Sequence, residues 1–415
     1  MPGKLNIFSQ LMSEPDISQF DLRRIPDGFV EDPYPWYAAL QTHDPVHHCP
    51  DGSWLLTRYW DLKEVYKDGK IYSSDKMLEF GEKYGPTPLR DHHTTSLVFN
   101  DPPLHTRVRR LLVGALTNKA IAAMEPALIE LVDRLLDELE VNPEVDLVRD
   151  FASAIPIEVI GNLLGVPHAD RGPLRGWSLA ILGALEPTLT PEQEQQGNDA
   201  VTEFSLYLKD FIAERRANPR DSEKDVLTRL IQGEENGEKL TEFELIHNCI
   251  FILNAGHETT TNLIANALHA LTMWRDQRRL LLEKNYYIDT AVDEFLRFES
   301  SNQLGNRIST ADSRVGRQFL PAGSRITLCI GAANRDPVRF EDPQRLDITR
   351  FPNRHLAFGS GPHLCAGVSL ARLEGQIAIL RFLKRFPNYG LKGTPVRSPR
   401  IRFRGFEKLP VNLNC

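Results

Sequence analysis

The sequence predicts a mainly α fold with a minor β part. Helix-period apolar spacing runs through most of residues 105–233 and again from Thr241 to Trp274. The strand-like stretches are short and gather late, and no strand–helix–strand alternation appears. In chain order, a short helix is expected around Pro35 to Leu40. VHHC, the Asp51-Gly52 turn pair and SWLLTR then form a hairpin, and WDLKEVYKD a helix. Residues 76–100 hold no stable period and are expected to be a long loop. The Pro- and Thr-containing gap LEPTLTPEQ (185–193) parts two of the helices between His105 and Gly233. A long apolar helix follows over Thr241–Trp274, and another over about 287–298. NRISTA, SRVG and LPAGSRITLCIGA read as strands, a helix follows Cys365, and short strands around IRFRGF and LPVNL come last.

The chain has 415 residues, is 41% hydrophobic and carries a formal net charge of -7. It can bury a large core, and the charge argues against nucleic acid as its main partner. MPGKLNIFSQLMSEPD lacks the apolar centre of a signal peptide, and its acidic residues argue against a transit peptide. No stretch approaches the roughly 20 apolar residues of a bilayer span, so a soluble, cytoplasmic protein with no membrane contact is expected. The cysteines, at positions 49, 249, 329, 365 and 415, are scattered and form no CxxC, which suggests neither a disulfide framework nor a four-cysteine zinc site. Cys249 and Cys329 lie in apolar runs and read as small core residues.

Cys365 has other surroundings, in FGSGPHLCAG (358–367) at the start of a helix. Free backbone N–H groups and the helix dipole favour a thiolate there. Gly359, Gly361 and Gly367 let the backbone bend and approach something closely. Such a thiolate could be a nucleophile, a zinc ligand or a haem ligand, and a plain capping loop is the bland alternative. Zinc is disfavoured because only His363 stands near. A dinucleotide loop is disfavoured because no third glycine falls in register.

The stretch resembles the haem-ligand loop of the cytochrome P450 family. That loop's Phe, Gly, Gly, His, Cys, Gly pattern is matched by Phe358, Gly359, Gly361, His363, Cys365 and Gly367. The resemblance implies haem b (iron protoporphyrin IX), with Cys365 as its axial thiolate. It also implies that Phe358 packs over the sulfur and that His363 reaches a propionate. A single cytochrome P450 domain is then expected over residues 1–415, with about 1–20 as an N-terminal extension.

Three further stretches stand in the family's order. In NAGHETTTN (254–262), Ala255 and Gly256 strip side chain from one helix face, so that a flat ligand or O2 can approach. Thr259 can bond back to a carbonyl and bend the helix; a solvated polar stripe is the bland reading. The resemblance makes Glu258 and Thr259 an acid–alcohol pair that steers protons during oxygen activation, with His257 structural. In DEFLRFES, Glu294 and Arg297 share a helix face. The family locks such a pair to a downstream Arg, and DPQRLD offers Arg345, although Leu346 stands where the family usually has Phe. In DPPLHTRVRRLL, His105 and Arg109 are i,i+4. With Arg307 and His363 they match the family's donors to the two propionates, which need charge-assisted partners.

What the resemblance implies is a soluble bacterial-type monooxygenase that inserts one oxygen atom of O2 into a C–H bond. The outcome is hydroxylation or O-dealkylation of a small, mainly hydrophobic substrate. No flavin or iron–sulfur segment is recognisable, so electrons are expected from a separate ferredoxin and ferredoxin reductase, docking near Arg107, Arg110 and Arg372. The alternatives are a peroxide-driven peroxygenase, against which Glu258 and Thr259 argue, and a non-catalytic haem sensor or carrier. Substrate contacts are expected from Leu97, Val98, Leu253, Ala255, Gln303 and Leu304. Arg90, His92 and His93 read as a solvated loop that could meet an acidic group.

Overall fold

A computed structural model describes residues 14–142, 144–222, 225–233 and 239–414. Most of the expected N-terminal extension lies outside the described residues. The long apolar run forms a 32-residue helix, Glu242–Met273, hereafter the central helix. Its start is fixed by a reciprocal cap: Thr241 Oγ1 accepts from the Glu244 N–H (3.1 Å) while Glu244 Oε2 accepts from the Thr241 N–H (2.8 Å). The helix is buried nearly all round, and its buried positions include polar residues as well as apolar ones. Helices Ala154–Leu164, Leu174–Gly183, Pro191–Ala217 and Val368–Arg385 pack against it.

Its two halves serve different cores. Leu245, Ile250 and Leu253 join Leu97, Val108, Ile160 and Phe204. Leu263, Leu268 and Leu271 join Phe151, Phe295, Phe382 and Tyr389. The switch falls at residues 254–262, the polar stretch singled out in the sequence.

The strands form a five-stranded sheet in the order Val46–His48, Trp54–Leu56, Arg325–Cys329, Leu304–Ser309, Tyr72–Ser73, with smaller sheets beside it. Trp54–Leu56 and Arg325–Cys329 run parallel, while the hairpin and the remaining pairs are antiparallel. Pairing of Arg307 with Ile326 sets the position of that arginine along the sheet. No single helix among the described residues is long and apolar enough to cross a membrane.

Two expectations are corrected. Residues 76–100 are not one loop but helices Met77–Tyr84 and Pro88–Thr95 with a 3₁₀ turn at Leu97–Phe99. Eight-residue helices are too short to print a clear period. Their anchors Phe80, Tyr84, Leu89 and Leu97 are buried, as are His92 and His93, which are therefore not solvated. At the C-terminal end, residues 401–405 of IRFRGF pair through the isolated bridge Phe403–Asn302, and ladder pairing begins only at its last residue, in Phe406–Lys408. Earlier in that segment the backbone N–H groups of Ile401 and Arg402 are taken by the Glu186 carboxylate instead.

Candidate functional site

The cysteine loop is shaped by its contact with helix Tyr59–Lys67. Gly359 and Gly361 have φ of 68° and 70°, and a Cβ on Gly361 would collide with the carbonyl oxygen of Tyr66. The Cys365 N–H donates to the Phe358 carbonyl (3.0 Å), closing the loop. The helix begins three residues later, at Val368. A bond from the Gly367 backbone and the charge of Arg109 favour the thiolate, but burial outweighs them and raises the thiol pKa. The helix start alone therefore does not hold the sulfur ionised, which corrects the sequence expectation. Cys365 is nevertheless accessible. A group both enclosed and accessible sits on the floor of a cleft. Phe358 packs with His355 (ring centroids 5.7 Å) and under the Arg372 guanidinium (5.6 Å).

Beside that floor, donors gather without a carboxylate bonded to them among the described residues. The His105 and His363 rings lie 4.0 Å apart, and His105 Nε2 is buried with no partner. Arg307 is buried over the Tyr66 ring (5.1 Å) and donates only to the carbonyl of its neighbour Asn306 (2.7 Å). Arg109 donates to the Leu364 carbonyl (2.6 Å). Burial lowers the pKa of His105, Arg307 and His363, the last to about 3, and nearby Arg109 and Arg307 deepen the histidine shifts. The nearby acid, Asp101, is already bonded to Ser73 and the Ser74 N–H. Buried donors left open in this way call for an anion from outside the chain. A flat group with two carboxylates on one edge, iron protoporphyrin IX, fits them.

In the central helix Ala255, Gly256 and Thr259 form a half-buried strip, flanked by buried Leu253, Asn254, His257 and Glu258. Thr259 Oγ1 donates to the Ala255 carbonyl (2.8 Å), as expected. Gly256 has a different reason for being glycine. A Cβ there would collide with Ile160 of the neighbouring helix, so its bareness serves helix packing and not the approach of a ligand.

Glu258 is buried and accepts from Arg400 Nη1 (2.5 Å). Burial pushes its carboxyl up to about 7 against the pull of Arg400, with Glu186 adding to the rise. It lines a cavity of about 230 Å³ behind the helix with Arg175, His257, Thr261, Ser398 and Arg400. His257 bonds Ser178 through Nδ1 (3.3 Å). Among the described residues no group of three His, Cys, Asp or Glu could hold a metal ion, which leaves the isolated thiol as the one sulfur presented to a prosthetic iron.

Glu294 and Arg297 form a fully buried pair, at 2.8 and 2.9 Å. Its third member is Arg350, 3.2 Å from Glu294, and not Arg345. Arg345 contributes only its carbonyl, which accepts from Arg297 Nη2 (3.1 Å). Both arginines lie in irregular chain after residue 340, where local sequence does not show which one turns inward. Substrate expectations are also revised. Leu97 and Leu253 sit in the core of the N-terminal half, while Val98 and Ala255 stay accessible. Gln303 turns onto Gly331, and Leu304 packs with Phe20, Tyr37 and Leu55 on the far side of the sheet. Arg107 is engaged with Glu244 and Arg372 with Asp293 (2.8 Å), so neither charge is unopposed. Sequence reasoning missed Arg400 and Tyr66, whose partners are far away in the chain.

The comparisons with known proteins agree with this geometry. The protein-family model for Cytochrome P450 matches residues 182–402. Cytochrome P450 107B1 of Saccharopolyspora erythraea is 38% identical, over 96% of this chain and 98% of that one. The vitamin D(3) 25-hydroxylase of Pseudonocardia autotrophica is 37% identical, over 93% and 94%. The crystal structure of P450BioI in complex with hexadec-9Z-enoic acid ligated acyl carrier protein superposes with a TM-score of 0.88 at 35% identity, covering 93% of this chain and all of that one.

Proposed function

The chain belongs to the cytochrome P450 family and is a haem-dependent monooxygenase, and on that premise we propose that it hydroxylates or O-dealkylates a small, mainly hydrophobic substrate in the cytoplasm. Electrons come from a separate ferredoxin and ferredoxin reductase. One observation carries the site assignment: the unfilled donor cluster of His105, Arg307 and His363 beside an accessible, enclosed cysteine.

Haem, when bound, supplies the oxidative chemistry, placing one atom of O2 in the substrate and releasing the other as water. Cys365 would hold the iron, with the Gly367 N–H on its sulfur tuning donor strength. His105, Arg109, Arg307 and His363 would hold the two carboxylates. The small side chain of Ala255 would leave room for the bound group, and the Thr259 hydroxyl is held by its own helix through the Ala255 carbonyl. Glu258 holds a proton at its carboxyl near neutrality. Its position on the rear cavity allows that proton to be renewed from solvent and passed toward Thr259.

The reduced CO complex of the purified protein should absorb at the position diagnostic of thiolate-ligated haem, and Cys365→Ser should lose that band. A wild-type protein without it sinks the reading. Thr259→Ala should still consume electrons but divert them from product to peroxide; unchanged coupling would exclude the proton role and favour the peroxygenase alternative. For the electron donor, the exposed face around Arg110, next to Arg109 and the loop, is the docking surface. Arg110→Glu should slow ferredoxin-driven reduction steeply at low salt, and a rate that neither changes nor responds to salt rules that surface out.

A further inference from the structure

The connection after helix Leu174–Gly183 is laced down by cations that lack a carboxylate of their own. Lys83 Nζ donates to the carbonyls of Ala184 (3.0 Å) and Glu186 (2.7 Å). Arg402 donates from Nε to the Leu185 carbonyl (3.1 Å), from Nη1 to the Leu304 carbonyl (2.9 Å) and from Nη2 to Asn306 Oδ1. Glu186, the nearest acid, gives its carboxylate to the backbone N–H groups of Ile401 (2.8 Å) and Arg402 (3.2 Å). Lys76, also buried nearby, is paired with Glu79 (2.6 Å). An ammonium has three N–H donors and a guanidinium five, so one on Lys83 and two on Arg402 remain to be used.

The surroundings are those of an internal wall. Arg402 keeps accessible surface although burial lowers its pKa, the same combination that marks Cys365 as lying within a cleft. Beside the two cations stands His93, 2% exposed, with Nε2 unpartnered. It packs edge-on to Phe99 (5.7 Å), in the segment that also carries accessible Val98. Burial first, then the charges of Lys83 and Arg402, keep this imidazole neutral, so it adds a hydrogen-bonding atom and no further charge. Lys83, Arg402 and His93 thus form a cationic corner beside the segment that carries Val98.

We propose that this corner receives a carboxylate on the substrate, held by Arg402 and Lys83 with His93 Nε2 alongside. The inference rests on the haem-monooxygenase reading and adds its substrate class: amphipathic acids, with the apolar chain directed to the face of Ala255 and Thr259. Since the same two cations bind the 184–186 connection, an acid seated there also joins the strap that closes over it.

The test uses the full-length holoprotein and two probes, 12-(imidazol-1-yl)dodecanoic acid and its methyl ester, whose azole ligates haem iron whatever the other end carries. Binding is read from the haem spectrum and, independently, by calorimetry. The acid should bind about tenfold or more tightly than the ester, as expected for hydrogen bonds to a charged group. Arg402→Met should bring the two close to parity while leaving the ester unchanged, and Lys83→Met should remove part of the preference. Equal affinity of acid and ester for the wild type overturns the proposal, as does a preference that survives in both variants. Should Arg402→Met fail to fold, Lys83→Met decides by the same criterion. Failure here is distinct from failure of the functional reading: an azole that does not ligate, or a missing thiolate CO band, tells against the latter.

Discussion

Two buried arginines in this protein, Arg297 and Arg307, end in opposite states. At the first, Glu294 and Arg297 are both inaccessible, and all five guanidinium donors of Arg297 are used, on Glu294 and on the carbonyls of Asn334, Pro343 and Arg345. Glu294 also accepts from the Asp347 N–H (2.9 Å) and Asn353 Nδ2 (3.0 Å). At the second, His105, Arg307 and His363 face one another with one buried nitrogen unpartnered and no carboxylate bonded to them. The first site is a knot that the chain ties with itself. The second is complete only with a group the chain does not encode. Buried charge by itself therefore says little about function; whether its donors are used says more.

The comparison can be broken most severely at the knot. Arg297→Leu leaves the Glu294 carboxylate buried and uncompensated, so a loss of about 3–5 kcal/mol is expected in urea denaturation; a loss below about 1 kcal/mol would show that the knot is not structural. Glu258 lies between the two cases, with one cation and a carboxyl that burial raises from its ordinary 4.5 to about 7. Its folded pKa is the higher one, so the ionised form is penalised in the native state. Stability relative to Glu258→Gln should be greatest below pH 4.5 and fall by about 3 kcal/mol as pH rises to 7. A flat difference across that window would refute the assignment.

Smaller effects sharpen the contrast. Arg350→Met removes one partial partner of Glu294 and should cost about 1–3 kcal/mol. His105→Phe removes a donor that has no acceptor in the chain. Haem-free stability should hold within about 0.5 kcal/mol, while haem dissociates faster to an apomyoglobin trap; a stability loss without faster dissociation would reverse the comparison. Arg345→Ala should come last, within about 0.5 kcal/mol, because it keeps the one atom that matters, its carbonyl.

What could be seen in the sequence follows from how local each feature is. The cysteine loop is contiguous, so its pattern was legible as it stood, although the Tyr66 carbonyl that requires glycine at 361 was not. The central helix announced itself by length and by the polar interruption at 254–262. Arg345 and Arg350 were not separable, since the path of an irregular segment decides which guanidinium reaches Glu294. The helices of residues 77–95 were hidden by brevity, although Thr87 before Pro88 is a cap signal, with Thr87 Oγ1 accepting from the Arg90 N–H (3.4 Å). Leu304 begins a strand in which buried and half-buried residues are mixed, and alternation does not show which side a residue packs on. Arg400 and Arg402 alternate like an exposed strand edge. Only partners more than 90 positions away show that they are interior groups.

Tyr66 touches both halves of the haem-facing machinery: its carbonyl backs the bend at Gly361, and its ring lies beneath Arg307. The positions of the cysteine loop and of Arg307 are thereby measured from one common datum. Drift elsewhere in the molecule moves the two together, so their relative offset is conserved even when neither is still. The connection at residues 184–186 is tied to the same frame, because Arg402 bonds the Leu185 carbonyl and also Leu304 and Asn306, on the strand that carries Arg307.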